Sequence, residues 1–215
     1  FQEEIDQYPY SEPIIQNSKE LVLVIDDNHN IQEFLSLLLE DQYNVICAMD
    51  GKEGINKAIK HIPDIILCDV MMPVMDGLEC CRWLKSEILT CHIPIMMLTV
   101  NSYDEQRIEG YRSGADAYIS KPFNSQVLMT QIHTLIKSRR QLKELFSDKP
   151  STLNENINVL DKGFMDKVTS LIDQNISDSN LNIEVLGKMI GLSRVQLYRK
   201  VKSLTNYSPN EVIRI

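Results

Sequence analysis

Four short apolar runs in this 215-residue chain each deliver a polar or charged residue at their C-terminal end. Leu21-Val22-Leu23-Val24-Ile25 ends in the pair Asp26-Asp27, and Ile65-Ile66-Leu67-Cys68 ends in Asp69. Ile93-Pro94-Ile95-Met96-Met97-Leu98 ends in Thr99, and Ala115-Asp116-Ala117-Tyr118-Ile119-Ser120 leads into Lys121-Pro122. Near-continuous apolar runs of this length fit strands covered on both faces, as in a parallel sheet. The crevice outside the carboxyl ends of such strands is where an open α/β sheet places its site.

The intervening segments complete the pattern. After Asp27, Ile31, Phe34, Leu35, Leu38 and Leu39 recur at helical spacing and give one apolar face. Residues 43–48 read as a strand, 51–61 as a helix, 64–69 as a strand and 76–87 as a helix. A strand at 93–99, a helix at 103–113, a strand at 115–119 and a long helix from Asn124 follow, the last continuing through 138–146. Five β/α repeats predict an α/β fold with a doubly wound parallel five-stranded sheet. Residues 1–19 read as a tail and 147–158, rich in Ser, Asn, Asp and Pro, as a linker. Residues 161–215 read as all helix, with a core pattern of Phe164, Val168, Leu171, Ile172, Ile183, Leu186, Ile190, Leu192, Leu197, Val201 and Leu204. Gly191-Leu192-Ser193 reads there as a turn followed by an N-cap.

Composition excludes several classes. With 43% apolar and 24% charged residues the chain is globular, and no apolar run approaches the ~20 residues that span a bilayer. The five cysteines show no paired CxxC, so reduced structural thiols and a cytoplasmic setting are expected. Cys80-Cys81 with Cys91-His92 fits no ordinary zinc spacing. The net charge of −8 is uneven: residues 1–150 carry −9 and residues 151–215 carry +1. The last thirty residues hold six Lys/Arg against the single acid Glu211. Two modules with different partners are implied.

Asp26, Asp27 and Asp69 would converge at adjacent strand ends, where three carboxylates repel unless a cation lies between them. Oxygen ligands favour a hard ion, Mg²⁺ where phosphate is involved. Lys121 adds a positive charge and Thr99 a hydroxyl, a set suited to phosphoryl transfer onto an aspartate. An Asp-Asp pair after a strand is often only a helix N-cap, but five residues at the ends of four strands call for a common reason.

These residues carry a resemblance. Residues 20–138 resemble the receiver domain of bacterial response regulators, a flavodoxin-like (βα)5 fold. The family's acidic pair matches Asp26 and Asp27, and its phosphoacceptor matches Asp69 in Asp69-Val70-Met71-Met72-Pro73-Val74-Met75-Asp76-Gly77. Its Thr/Ser matches Thr99, its Lys-Pro pair Lys121-Pro122, and its aromatic switch position Tyr118. The resemblance implies Mg²⁺ held by Asp26, Asp27, Asp69 and the Met71 carbonyl, with Asp69, Thr99 and Lys121 carrying the chemistry. It also implies that a phosphoryl group on Asp69 draws Thr99 in, turns Tyr118 and remodels a surface, roughly 103–137, that serves as a homodimer interface. A phosphatase of the aspartyl-phosphate type would need a second aspartate where Met71 stands.

Residues 161–215 resemble the first half of the AraC-type DNA-binding domain: a helix 183–190, the turn Gly191-Leu192-Ser193 and a helix 194–203 match its first helix-turn-helix. Arg194, Val195, Gln196, Tyr198, Arg199 and Lys202 are the expected DNA contacts, in the major groove. On charge alone, a solvated basic face is an equal reading. Gly187 stands where a helix former is usual, and Asn206 where glycine is common. The order of the two modules, joined by 139–160, resembles the C-terminal part of Bacteroides-type hybrid two-component sensors. That implies a histidine kinase partner in the same full-length chain, whose parent is anchored in the inner membrane, and a second reading helix beyond Ile215. The fragment itself would then touch no membrane and bind DNA weakly. A relay or interaction module whose helical tail binds protein is the competing expectation.

Overall fold

The computed structural model describes residues 19–100, 113–148, 159–176, 178, 181–205 and 207–214. Five strands, β1 (Leu21–Ile25), β2 (Asn44–Ala48), β3 (Ile65–Asp69), β4 (Ile95–Thr99) and β5 (Ala117–Ser120), form one parallel sheet in the order β2-β1-β3-β4-β5. Helices α1 (His29–Leu39), α2 (Gly51–His61), α3 (Gly77–Ser86) and α4 (Ser125–Asp148) cover it. The expected helix at 103–113 lies almost wholly outside the described residues, as does much of the linker and Asn206.

Because β3 and β4 are buried along their whole length, their side chains divide between two cores. One face packs Leu23, Ile25, Ile66, Cys68, Ile95 and Met97 beneath α2 and α3, while the other packs Val22, Val24, Ile65, Leu67, Met96 and Leu98 beneath α1 and α4. Period-two alternation between two buried faces explains why the strands read as continuous apolar runs. Of the apolar face expected on α1, Leu35 and Leu39 are fully buried, but Phe34 is 47% exposed and meets the Phe123 ring at 6.3 Å.

The helices start where short polar side chains can satisfy free backbone N–H groups. Asn28, Asp50 and Asp76 cap α1, α2 and α3, each accepting from a backbone N–H of the first turn. Asp76 and Glu87 are thus caps rather than helical residues, and β4 and β5 start two residues later than the apolar runs suggest.

The C-terminal segment forms α5 (Val159–Asn175), α6 (Ile183–Ile190), α7 (Arg194–Leu204) and α8 (Pro209–Arg214). Phe164, Val168, Ile172, Ile183, Leu186, Leu197, Val201 and Leu204 bury into a third core, as the periodicity requires. α5 starts two residues earlier than expected, and α4 runs to Asp148, so both take residues assigned to the linker. The α6–α7 turn has left-handed Gly191 at φ 85°, with the Leu192 N–H bonded to the Gly187 carbonyl at 2.9 Å. Gly187 has a packing reason here: a Cβ would lie 2.8 Å from the Leu192 carbonyl oxygen. Among the described residues no helix is long and apolar enough to cross a membrane.

Candidate functional site

β1 and β3 lie side by side where the chain order reverses across the sheet, and their carboxyl ends put Asp26 and Asp69 together. Carboxylate oxygens of Asp26, Asp27 and Asp69 all fall within 4.8 Å of one another. Asp26 is fully buried, Asp69 is 7% exposed and Asp27 faces solvent. Lys121, just past β5, reaches across with Nζ 2.7 Å from Asp26 Oδ2 and 3.0 Å from Asp69 Oδ1. Its backbone N–H donates to the Thr99 carbonyl at 2.6 Å, and the Lys121–Pro122 peptide is cis.

The electrostatics follow from this crowding. Burial raises the Asp69 pKa above its ordinary value, with Asp26 adding to the rise and Lys121 opposing it. Burial disfavours the Lys121 ammonium, but Asp26 and Asp69 outweigh it and hold its pKa up. One lysine therefore faces a surplus of negative charge. Oxygen-only donors this close, one of them opening to solvent, fit a hard divalent cation.

The remaining expected site residues fall around this centre. Thr99 closes β4 and is buried, and its neighbour across the ladder is Ser120. Tyr118 pairs with Met97 and packs, half-buried, on the same sheet face as Met97. By the strand alternation Thr99, two residues beyond Met97, shares that face. Met71 lies two residues beyond Asp69 with its side chain 59% exposed.

Two supports escaped the sequence reading. Gln32, on the inner side of α1, is buried, and its Nε2 donates to the carbonyls of Asp26 (2.6 Å) and Ala48 (2.9 Å). It ties the β1–α1 turn to β2, and so fixes where Asp26 points. Gln32→Leu is expected to cost about 2 kcal/mol by removing the buried donor to the Asp26 carbonyl, the Ala48 carbonyl keeping its bond from the Asp26 N–H, read as a lower urea midpoint at unchanged slope. An unchanged midpoint would show that the turn holds without it. Gly77 starts α3 with its N–H bonded to the Val70 carbonyl at 2.9 Å, so α3 begins directly against the strand that carries Asp69.

In the C-terminal segment, Arg194 is exposed, but Val195, Gln196, Tyr198, Arg199 and Lys202 are half-buried. Gln196 is engaged in a capping box: its Oε1 accepts from the Ser193 N–H at 3.0 Å while Ser193 Oγ accepts from the Gln196 N–H at 3.2 Å. Lys200, grouped by composition with the basic residues, is fully buried.

Comparison with known proteins accounts for the sheet and its site together. The sequence profile of the response regulator receiver domain matches residues 22–133. Histidine kinase P4 of Formosa agariphila is 34% identical over 212 residues, 98% of this chain but 16% of that protein. Hybrid signal transduction histidine kinase D of Dictyostelium discoideum is 37% identical over 72% of this chain and 10% of its own length. The chain thus spans a small part of both kinases. Among solved structures, the chemotaxis protein CheY4 of Vibrio cholerae is 35% identical with a TM-score of 0.53, covering 55% of this chain and 99% of that one. The receiver domain of a Pseudomonas aeruginosa sensor histidine kinase is 26% identical with a TM-score of 0.53, over 56% of this chain and 99% of that one, and holds a magnesium ion in its active-site cleft. With a five-stranded parallel sheet, an acidic cluster at its carboxyl edge and a matching profile over more than half its length, this chain belongs to the response regulator receiver domain family.

Proposed function

We propose that Asp69 is the phosphoacceptor of a two-component relay, and that the C-terminal helices convert its state into control of DNA binding. The observation that carries the first part is the convergence of three carboxylates and one lysine at the carboxyl edge of β1, β3 and β5. A carboxylate oxygen of Asp69 attacks phosphorus in line. The N–P bond of a donor phosphohistidine breaks, the O–P bond forms and the imidazole nitrogen leaves with the electron pair. Kinases among the relatives support such a donor. Lys121 faces the incoming phosphoryl oxygens with a held positive charge. Asp26, Asp27, Asp69 and the Met71 carbonyl would hold Mg²⁺, which when bound neutralises charge on the phosphoryl group. Thr99 and Tyr118, on one sheet face, would then respond to the new phosphoryl oxygens through the 103–137 surface, where a homodimer would form.

In the presence of Mg²⁺ and a small acyl phosphate, the protein is expected to gain one acid-labile phosphoryl group located on Asp69 by fragment masses. A chelator should abolish the gain, and labelling elsewhere in its place would overturn the assignment. Mg²⁺ alone should also stabilise the fold, by about 2.7 kcal/mol at a hundred times its Kd. A melting curve indifferent to Mg²⁺ would remove the metal from the reading.

The second part rests on the capped helix-turn-helix of α6 and α7 with Arg194, Arg199 and Lys202 on or beside its outer side. A competing reading, a relay module whose tail binds only protein, draws on the half-buried state of that side. Duplex binding that weakens steeply with salt favours the DNA reading, and none at low salt favours the other.

A further inference from the structure

The Gln32 amide nitrogen carries two protons and faces three acceptors. The carbonyls of Asp26 and Ala48 lie at 2.6 Å and 2.9 Å, and the thioether sulfur of Met49 lies at 3.1 Å. Carbonyl oxygens are the stronger acceptors, so they take the two protons and the sulfur is left as a contact. The two carbonyls also fix which end of the amide points inward, because its oxygen in that place would repel both. The arrangement depends on the weakness of one acceptor.

Met49 is the first residue past β2, at the carboxyl edge that holds the acidic cluster, and it is 43% exposed. Its backbone is held in place: the Met49 N–H donates to Glu53 Oε2 at 2.7 Å, and Glu53 is paired with Lys57 at 2.7 Å. Any change at the sulfur therefore falls on the side chain and on what it touches. Gln32 is buried, and its amide joins the β1–α1 turn that carries Asp26 to the end of β2. An exposed, oxidisable residue thus touches a buried amide that supports a carboxylate of the site.

We propose that Met49 is an oxidation site that acts on the phosphorylation site through Gln32. Hydrogen peroxide, a two-electron oxidant, delivers one oxygen to the thioether: the peroxide O–O bond breaks, the sulfur lone pair forms the S–O bond, and water leaves. The sulfoxide oxygen is a polar acceptor on an atom that already lies 3.1 Å from the donor. It takes one of the two protons, and the amide then holds the Asp26 turn or β2 but not both. Asp26, whose Oδ2 anchors Lys121 at 2.7 Å and whose Oδ1 accepts from the Asn28 N–H at 2.9 Å, loses a support that aims it. A methionine sulfoxide reductase reverses the step, so the site can be reset. This rests on Asp26 as a metal-site residue and adds a chemical modification that weakens it.

The test uses the full chain as wild type, Met49→Leu and Met71→Leu, each compared with itself before and after peroxide. A thiol reductant follows the peroxide, so that cysteine sulfenates and disulfides are reversed while sulfoxides persist. Fragment masses locate the added oxygen. Hydrogen exchange over residues 26–32 is read on the metal-free protein, and the Mg²⁺ concentration that half-saturates the rise in melting temperature is read separately. In wild type and Met71→Leu, oxidation of Met49 is expected to speed exchange at 26–32 and to raise that Mg²⁺ concentration about fivefold, the weight of one hydrogen bond. Met49→Leu should show neither change, and reductase treatment should restore the oxidised wild type. Met49 left unmodified at a dose that oxidises Met71, or a Met49 sulfoxide with unchanged exchange, would overturn the proposal. A Met49→Leu variant that responds to peroxide as the wild type does would overturn it too, as would faster exchange with an unchanged Mg²⁺ dependence. No Mg²⁺ response before oxidation would sink the metal reading alone, while exchange still decides the link between Met49 and Gln32.

Discussion

Asp69→Asn is expected to lose phosphoryl labelling by at least about a thousandfold while making the metal-free protein more stable. The loss follows from the chemistry. An amide has no carboxylate oxygen to attack phosphorus, and removing a nucleophile on this scale leaves only weak attack by neighbours. Asp26 is the nearest substitute, but it is fully buried and bonded to Lys121 and to the Asn28 N–H. The gain in stability follows from the sign of the shift. Burial raises the Asp69 pKa in the folded state above its ordinary value of 3.8. A group raised in this way favours folding below its unfolded pKa, and that contribution is lost as pH rises through the folded one. At neutral pH the ionised Asp69 is therefore a standing cost, which the neutral amide lacks. The difference in melting temperature between variant and wild type should be near zero in acid and open as pH rises past the carboxylate range. Mg²⁺ should close it again by stabilising the wild type more. Undiminished labelling of the variant, or a variant less stable at neutral pH without metal, would contradict the assignment of Asp69 as an acceptor held under electrostatic strain.

Much of this was legible because the information is local. A strand buried on both faces writes itself as an apolar run, and the polar residue that ends it marks the sheet edge: Asp26, Asp69 and Thr99 each follow that rule. Caps are equally local, so Ser193 and Gly191 declared the α6–α7 turn from the sequence. What escaped depends on approach between distant segments. Gln32 reads as a surface glutamine until the Ala48 carbonyl is brought beneath it. Lys200 and His92 are 108 residues apart, and nothing near either announces the other. Composition counted Lys200 with the basic face, although its place beside Leu197 and Val201 already put it on the inner half of α7. The bond from Lys200 Nζ to His92 Nδ1 at 2.9 Å, with Cys91 Sγ at 3.7 Å, also gives Cys91-His92 a role that metal-ligand spacing could not reveal: acceptors for an ammonium across a domain contact.

Gly77→Ala should be the most damaging single methyl in the receiver. A Cβ there would lie 1.9 Å from the Asp69 carbonyl oxygen and 2.9 Å from Met97 Cε, and the first of these is backbone. A flexible side chain could turn away, but this carbonyl belongs to the last residue of β3, which is paired to β4. Either the start of α3 or the end of β3 must move. Overpacking of well-filled interiors costs roughly 1–3 kcal/mol, and a collision with backbone belongs at the upper end, about 3 kcal/mol. The Gly77 N–H bond to the Val70 carbonyl would be strained by the same displacement. The consequence reaches the chemistry, because the residue displaced is Asp69 itself. A shift on the order of 1 Å in a reacting group can cost about a hundredfold in rate. The variant should thus show both a lower urea midpoint and slower phosphoryl uptake, measured where circular dichroism shows it folded. A midpoint within about 0.5 kcal/mol of wild type, with uptake unchanged, would mean that the strand end is free to move. Slower uptake in a folded variant would instead locate the reacting aspartate at that carbonyl's own residue, by a route independent of Asp69→Asn.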